Sequence, residues 1–214
     1  MDADTRHAAT VKIMRLAPVI PVLTVKSVAD GIAQARALVA GGLPAIEVTL
    51  RTEAALEAIA EIARSVPGAH VGAGTIVSPG QIDQAVRAGA TFMVSPGCTD
   101  MLAAAAAKAP IPWLPGAATA SEAMFLRELG FRALKLFPAE AVGGAKLLAS
   151  LAAPLPDIVF CPTGGIDLAK APTYLVLANV ACVGGSWMLP KEALASGDYA
   201  IVERLAREAA GLRH

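Results

Sequence analysis

The sequence predicts an α/β protein, a (β/α)8 barrel with a short N-terminal helix, formed by residues 1–214 as one domain. Three observations lead there. Short apolar runs alternate with alanine-rich helical patterns from Val19 to the C-terminus. The repeat is roughly 25 residues, which suits parallel strands joined by helical crossovers and closed into a ring. Hydrophobic residues make up 55% of the chain and charged residues 17%, as a sheet buried on both faces requires. An open doubly wound sheet is the alternative. Its dinucleotide-binding glycine pattern is missing from the first strand-to-helix turn, Thr24-Val25-Lys26-Ser27.

A short amphipathic stretch comes first, with Val11, Ile13, Met14 and Leu16 apolar. Strands are predicted at 19–25, 45–50, 70–75, 92–95, 111–115, 133–137, 158–162 and 180–184, each a short apolar or alternating run closed by turn residues. Helical patterns lie near 27–40, 53–65, 78–88, 99–108, 119–129, 143–152, 167–177 and 198–211. Ser27, Ser78, Thr99 and Asp167 stand where an N-cap oxygen accepts a hydrogen bond from the first turn. Gly41, Gly89 and Gly130 end their helices. No linker or low-complexity segment divides the chain.

Lys and Arg number 18 and Asp and Glu 18, with no basic block, so neither nucleic acid nor an anionic membrane is an expected partner. The N-terminus, Met1-Asp2-Ala3-Asp4-Thr5-Arg6-His7, has no apolar signal region, and no run suits a membrane span. Cys98, Cys161 and Cys182 are odd in number and widely spaced, which points to reduced thiols and the cytoplasm. The histidines, His7, His70 and His214, join no Asp, Glu or Cys cluster at ligand spacing, and no Ser–His–Asp set can be drawn. No metal and no cofactor is expected.

In a barrel of this kind the site lies at the C-terminal ends of the strands. The sixth predicted strand leads into Lys135-Leu136-Phe137-Pro138. Alternation puts Ala133, Lys135 and Phe137 on one face and Leu134 and Leu136 on the other. With the leucines against helices, Lys135 points into the interior. Lost hydration there favours a neutral amine, the form that attacks a carbonyl to make a Schiff base. A lysine that snorkels to solvent is the alternative.

The second strand places Glu47, Thr49 and Arg51 on one face. Inward polar groups are costly unless paired or used. Arg51 suits a carboxylate clamp and Glu47 a proton shuttle, and a structural Glu47–Arg51 ion pair is the alternative. The third strand ends in Gly72-Ala73-Gly74-Thr75, where glycines would let a ligand approach the backbone, a plain tight turn being the alternative, and Thr75 offers a hydroxyl. Cys161-Pro162-Thr163-Gly164-Gly165-Ile166 and Gly184-Gly185-Ser186 follow strands seven and eight. Paired glycines at these neighbouring turns suit a phosphate, although such pairs also occur in ordinary turns.

Six ordered segments together resemble a known family: Glu47-Val48-Thr49-Leu50-Arg51-Thr52, Gly72-Ala73-Gly74-Thr75, Ser95-Pro96-Gly97, Lys135-Leu136-Phe137-Pro138-Ala139-Glu140, Pro162-Thr163-Gly164-Gly165-Ile166 and Gly184-Gly185-Ser186-Trp187. The chain is similar, from about Pro18 to Leu212, to the 2-keto-3-deoxy-6-phosphogluconate (KDPG) aldolases, many of which also cleave 4-hydroxy-2-oxoglutarate. The resemblance implies a metal-independent class I aldolase, a homotrimer of TIM barrels in the Entner-Doudoroff pathway. It implies Lys135 as the Schiff-base residue and Glu47 as the general acid/base. Arg51 and Thr75 would bind the carboxylate, and Pro96 and Phe137 would pack on the reacting carbons. Gly164, Gly165, Gly185 and Ser186 would hold the phosphate beside Thr163, whose presence favours the gluconate substrate over the galactonate one. Gly116-Ala117-Ala118-Thr119 departs from the expected pattern of a bulkier apolar residue and a hydroxyl after the glycine, which bears on substrate preference. A barrel isomerase or epimerase, and a barrel that only binds a sugar phosphate, are the rival readings. The first lacks a visible base pair or metal cluster. The second gives no reason to hold Lys135, Glu47 and Arg51 together.

Overall fold

The computed structural model describes residues 2–212; Met1, Arg213 and His214, one of the three histidines considered above, lie outside the described residues. Helix α1 (Ala3–Met14) precedes the first strand, and its Asp2 cap accepts from the Thr5 N–H. The strands are β1 (Val19–Leu23), β2 (Ala45–Thr49), β3 (His70–Gly74), β4 (Phe92–Val94), β5 (Trp113–Leu114), β6 (Gly116–Ala117), β7 (Ala133–Leu136), β8 (Val159–Pro162) and β9 (Val183–Gly185). The helices between them are α2 (Val28–Ala40), α3 (Ala55–Ser65), α4 (Pro79–Arg87), α5 (Asp100–Ala106), α6 (Ala120–Glu128), α7 (Gly144–Ala152) and α8 (Ala171–Leu175). Two more, α9 (Lys191–Ser196) and α10 (Tyr199–Ala210), follow β9.

All strand pairs are parallel. Six strands run in the order β5-β4-β3-β2-β1-β9 and three as β6-β7-β8. Strands β5 and β6 are separated by Pro115 alone, and β8 joins β9 through the bridges Phe160↔Val180 and Thr163↔Gly184. The ring is therefore closed, with eight staves. The fifth stave differs from the single strand predicted at 111–115. Proline has no N–H to give the ladder, and the chain changes partner there. Ser95 N–H donates to the Leu114 carbonyl at 3.3 Å, while Lys135 N–H donates to the Pro115 carbonyl at 2.8 Å.

The barrel wall separates two apolar regions. Outward residues such as Leu23, Ile46, Val48, Val71, Leu134, Leu136 and Val183 join the helices in the larger core. Ile20, Ala45, Phe92, Val94, Leu114, Ala133, Cys161 and Cys182 form a smaller cluster with Met14 of α1. Two residues beyond Ala45 and Ala133 on their strands come Glu47 and Lys135, so the apolar cluster gives way to polar side chains toward the C-terminal ends.

Local signals placed several helix ends. Ser27 and Thr99 accept from Asp30 and Leu102 N–H groups, and Ser78 forms a capping box with Gln81. Gly89 and Gly130 close α4 and α6 in the left-handed region. At the end of α2 the left-handed residue is Gly42, φ 94°, not Gly41. A Cβ on Gly41 would lie 2.4 Å from the Ala206 Cβ, so that glycine serves the packing of α2 on α10. Asp167 accepts from Lys170 N–H in a turn, and α8 begins only at Ala171. Helix α9 lay in no predicted pattern; it is one and a half turns with a single buried residue, Ala193. No helix among the described residues is long and apolar enough to cross a membrane.

Candidate active site

Strands β2 and β7 are four staves apart in the ring of eight, so their inward side chains meet across the barrel. Lys135 is 5% exposed and Glu47 3%. The Lys135 ammonium donates to both Glu47 carboxylate oxygens at 3.2 Å and lies 5.3 Å from the centre of the Phe137 ring. This excludes both alternatives weighed above: Lys135 does not snorkel to solvent, and Glu47 pairs with Lys135 instead of Arg51. A buried pair of opposite charges has a direct consequence. One proton shift from ammonium to carboxylate leaves a neutral amine beside a carboxylic acid, which is the nucleophile and proton donor a carbonyl addition uses.

The glycines around Glu47 make room for it. A Cβ on Gly74 would stand 2.3 Å from Glu47 Oε1, and one on Gly72 would stand 2.4 Å from the Phe92 ring. Sequence reasoning left these glycines open between a ligand's approach and a plain tight turn; the structure fills the space with the protein's own side chains. Thr49 is fully buried and donates to the Leu23 carbonyl at 2.8 Å, bracing β2 against β1.

Arg51 and Thr75 meet at the rim. Arg51 Nε donates to Thr75 Oγ1 at 3.2 Å, and its two terminal nitrogens have no hydrogen-bond partner among the described residues. Thr75 has φ 61°, a conformation uncommon for a β-branched residue and costing of order 1–3 kcal/mol. The strained backbone carries the hydroxyl that orients the guanidinium. Pro96 is half-buried, and its carbonyl group would lie 2.3 Å from a Cβ on Gly116, so β6 supports the loop after β4. Ser95, a residue of the same motif, is structural: its hydroxyl accepts from Trp113 Nε1 at 3.1 Å.

Thr163 is buried at the end of β8, and its hydroxyl would lie 2.2 Å from a Cβ on Gly184. Gly184 and Gly185 belong to β9 itself and not to the following turn, and Gly185 admits the Trp187 ring. Ser186 is exposed just beyond them. Gly164 and Gly165 have φ 108° and 79°, which L side chains rarely adopt. Against this loop lie three groups that sequence reasoning assigned no role. Glu140 accepts a short hydrogen bond from the Tyr174 hydroxyl and pairs with Lys170 at 3.0 Å. Glu140 stands 30 residues or more from Lys170 and Tyr174 in the chain, which hides the cluster from any local pattern. Among the described residues no group of three or more His, Cys, Asp or Glu is placed to hold a metal ion.

The family model described as KDPG and KHG aldolase matches residues 10–205. The KHG/KDPG aldolase of Escherichia coli K12 is 49% identical over 197 residues, covering 92% of both chains. Two solved structures superpose with a TM-score of 0.92. One is the 2-keto-3-deoxy-6-phosphogluconate aldolase of Zymomonas mobilis with 3-phosphoglycerate, 45% identical over 97% of this chain and 98% of that one. The other is the KDPG aldolase of Legionella pneumophila with pyruvate captured as a covalent carbinolamine, 40% identical over 94% and 98%. Sharing that barrel with such relatives, and nearly half its residues with the E. coli one over 92% of its length, this chain belongs to the KDPG and KHG aldolase family.

Proposed function

We propose that this chain is a Schiff-base aldolase that cleaves 2-keto-3-deoxy-6-phosphogluconate to pyruvate and glyceraldehyde 3-phosphate. The observation that carries the reading is the buried Lys135–Glu47 pair reaching across the barrel from β7 and β2. Proton transfer to Glu47 frees the Lys135 amine, which attacks the C2 ketone. Glu47 returns the proton as the carbinolamine loses water. The iminium nitrogen then accepts the electron pair of the C3–C4 bond once the C4 hydroxyl gives up its proton. Glyceraldehyde 3-phosphate leaves, the enamine is protonated at C3, and water releases pyruvate. The iminium supplies the electron sink, so the chemistry needs no metal and no cofactor. Arg51, oriented by Thr75, holds the C1 carboxylate, an orientation role. Pro96 and Phe137 flank the reacting carbons. Thr163, Gly164, Gly165, Gly185 and Ser186 receive the phosphorylated end.

4-Hydroxy-2-oxoglutarate, cleaved to pyruvate and glyoxylate, is the second substrate; it carries the same 2-keto acid head, and the E. coli relative is named for both. The unbroken repeat supports a single barrel domain over residues 1–214, the three unpaired cysteines support a cytoplasmic setting, and the family resemblance supports a homotrimer. Borohydride reduction in the presence of pyruvate, followed by peptide mass spectrometry, tests the mechanism. An adduct on Lys135 is expected. Folded protein with no adduct, or with an adduct on another lysine, refutes the assignment.

A further inference from the structure

Three consecutive carbonyls after β8 are held by hydrogen bonds. Thr163 O accepts from the Ala139 N–H at 2.8 Å, Gly164 O from the Glu140 N–H at 3.1 Å, and Gly165 O from the Lys170 ammonium at 2.9 Å. These peptide bonds are trans, so each carbonyl points opposite to the N–H of the next residue. The N–H groups of Gly164, Gly165 and Ile166 are therefore turned away from the groups that hold the carbonyls. The Gly165 and Ile166 N–H groups have no acceptor among the described residues, whereas the Gly164 N–H faces the Gly184 carbonyl across the bridge to β9. Successive N–H groups freed in this way, with left-handed glycines between them, form a nest for an anion.

Glu140 is the hub that fixes this arrangement. Its backbone holds Gly164, and its carboxylate anchors Lys170, which holds Gly165. The Tyr174 hydroxyl, on a residue only 1% exposed, donates to the same carboxylate. The stem packs on the loop, since a Cβ on Gly165 would stand 2.8 Å from Glu140 Cγ. The Tyr174 hydroxyl and then Lys170 hold the Glu140 carboxyl below its ordinary range, which keeps the hub charged.

We propose that Glu140 is a positioning residue for the phosphate. Through Lys170 and Tyr174 it aims the N–H groups of Gly165 and Ile166, and so sets the preference for phosphorylated over unphosphorylated 2-keto acids. The inference rests on the aldolase reading above and adds the residue that tunes it. Charge and geometry predict opposite signs for its removal. Taking a carboxylate away from an anion site strengthens anion binding by charge alone, so a weakening reports lost positioning.

The test compares Glu140→Gln, Lys170→Met and Lys170→Arg with the wild type in two assays. The first is cleavage of KDPG; the second is exchange of pyruvate methyl hydrogens in deuterated water, which uses only the Schiff-base half of the site. Glu140→Gln and Lys170→Met are expected to raise KM for KDPG about 5- to 10-fold, the scale of one lost pinning hydrogen bond. Pyruvate exchange should stay within about twofold, and Lys170→Arg should restore KM, because a guanidinium can still donate to Gly165 and pair with Glu140. Equal losses in both assays, no loss in either, or a loss confined to Lys170→Met would each overturn the proposal, the last by making Lys170 a direct phosphate ligand. Wild-type protein that exchanges no pyruvate hydrogen would instead refute the aldolase reading itself.

Discussion

Replacing Gly74 with alanine tests whether the observed position of Glu47 is the working one. Gly74 is an ordinary β3 residue whose φ lies outside the left-handed region, so the backbone accepts alanine without strain. The new Cβ would fall 2.3 Å from Glu47 Oε1, 2.5 Å from Cγ and 2.8 Å from Cδ. Ordinary contact begins near 3.4 Å, so the carboxylate must retreat by about 1 Å. Both contacts to Lys135 are 3.2 Å, close to the limit for a hydrogen bond, so a displacement of that size disrupts their geometry. Misplacement of a reacting group by about 1 Å costs on the order of 100-fold, which is about 2.7 kcal/mol in the barrier. The assay is kcat for KDPG cleavage with glyceraldehyde 3-phosphate coupled to a reductase, beside thermal unfolding. A fall in kcat of about 100-fold with the fold retained is expected. Gly74→Ala with kcat within threefold of wild type would show that the carboxylate works from somewhere else.

Glu47→Gln keeps the shape and removes the proton carrier, so kcat should fall by about 10²- to 10⁴-fold; an unchanged rate removes Glu47 from proton transfer. Lys135→Met should abolish both turnover and borohydride trapping, while leaving Glu47 as a buried carboxylate without its partner; trapping that persists would move the Schiff base to another lysine. The melting difference between wild type and Glu140→Gln should depend on acid. Because the folded carboxyl is held below its ordinary value of 4.5, its contribution is full above that pH and is lost as pH falls through the lower folded value. Scanning calorimetry from pH 6 to pH 3 should show the gap closing on the acid side, and a gap that widens there would contradict the Tyr174–Glu140–Lys170 contacts. Burial, aided by Asp100, pushes the Cys98 thiol up to about 11, and burial with its neighbour Cys161 raises Cys182 well above the usual range. Iodoacetamide at pH 7.5 should therefore leave Cys98 and Cys182 unmodified in the native protein and label all three thiols in urea; rapid native labelling of either would refute that packing.

What the sequence made legible was periodic or local. Alternation alone separated Leu134 and Leu136 from Lys135, because strand side chains change face at every residue. Caps such as Ser27 and Thr99 bond to N–H groups three residues away, within reach of a short motif. The contact between Glu47 and Lys135 spans 88 residues and exists only because the ring closes with their strands opposite each other. No spacing rule could place it; the six ordered segments only implied it. Pro115 read as the end of a strand, when its effect is to pass the chain from β4 to β7. Helix α9 had its boundary signals, Pro190 before it and Gly197 with φ 70° after it. At six residues it has no apolar period to detect.

The glycines of the barrel mouth show why motif and mechanism are different kinds of evidence. Read as text, Gly72, Gly74, Gly164, Gly165, Gly184 and Gly185 all suggest a backbone left bare for a ligand. In the fold, Gly74 clears Glu47, Gly184 clears Thr163 and Gly185 clears Trp187. Only Gly164 and Gly165 need glycine for the direction of the backbone itself. Their carbonyls, with that of Thr163, are held by Ala139, Glu140 and Lys170, and the first two belong to the loop that leaves the Lys135 strand. Hydrogen bonds of 2.8 and 3.1 Å thus tie the loop that follows the Lys135 strand to the loop proposed to hold the phosphate. A KDPG molecule presents its ketone and its phosphate four carbons apart. Two sites joined by one short loop keep that spacing fixed, whereas sites on independent loops would drift by the angstrom that costs catalysis on the order of 100-fold.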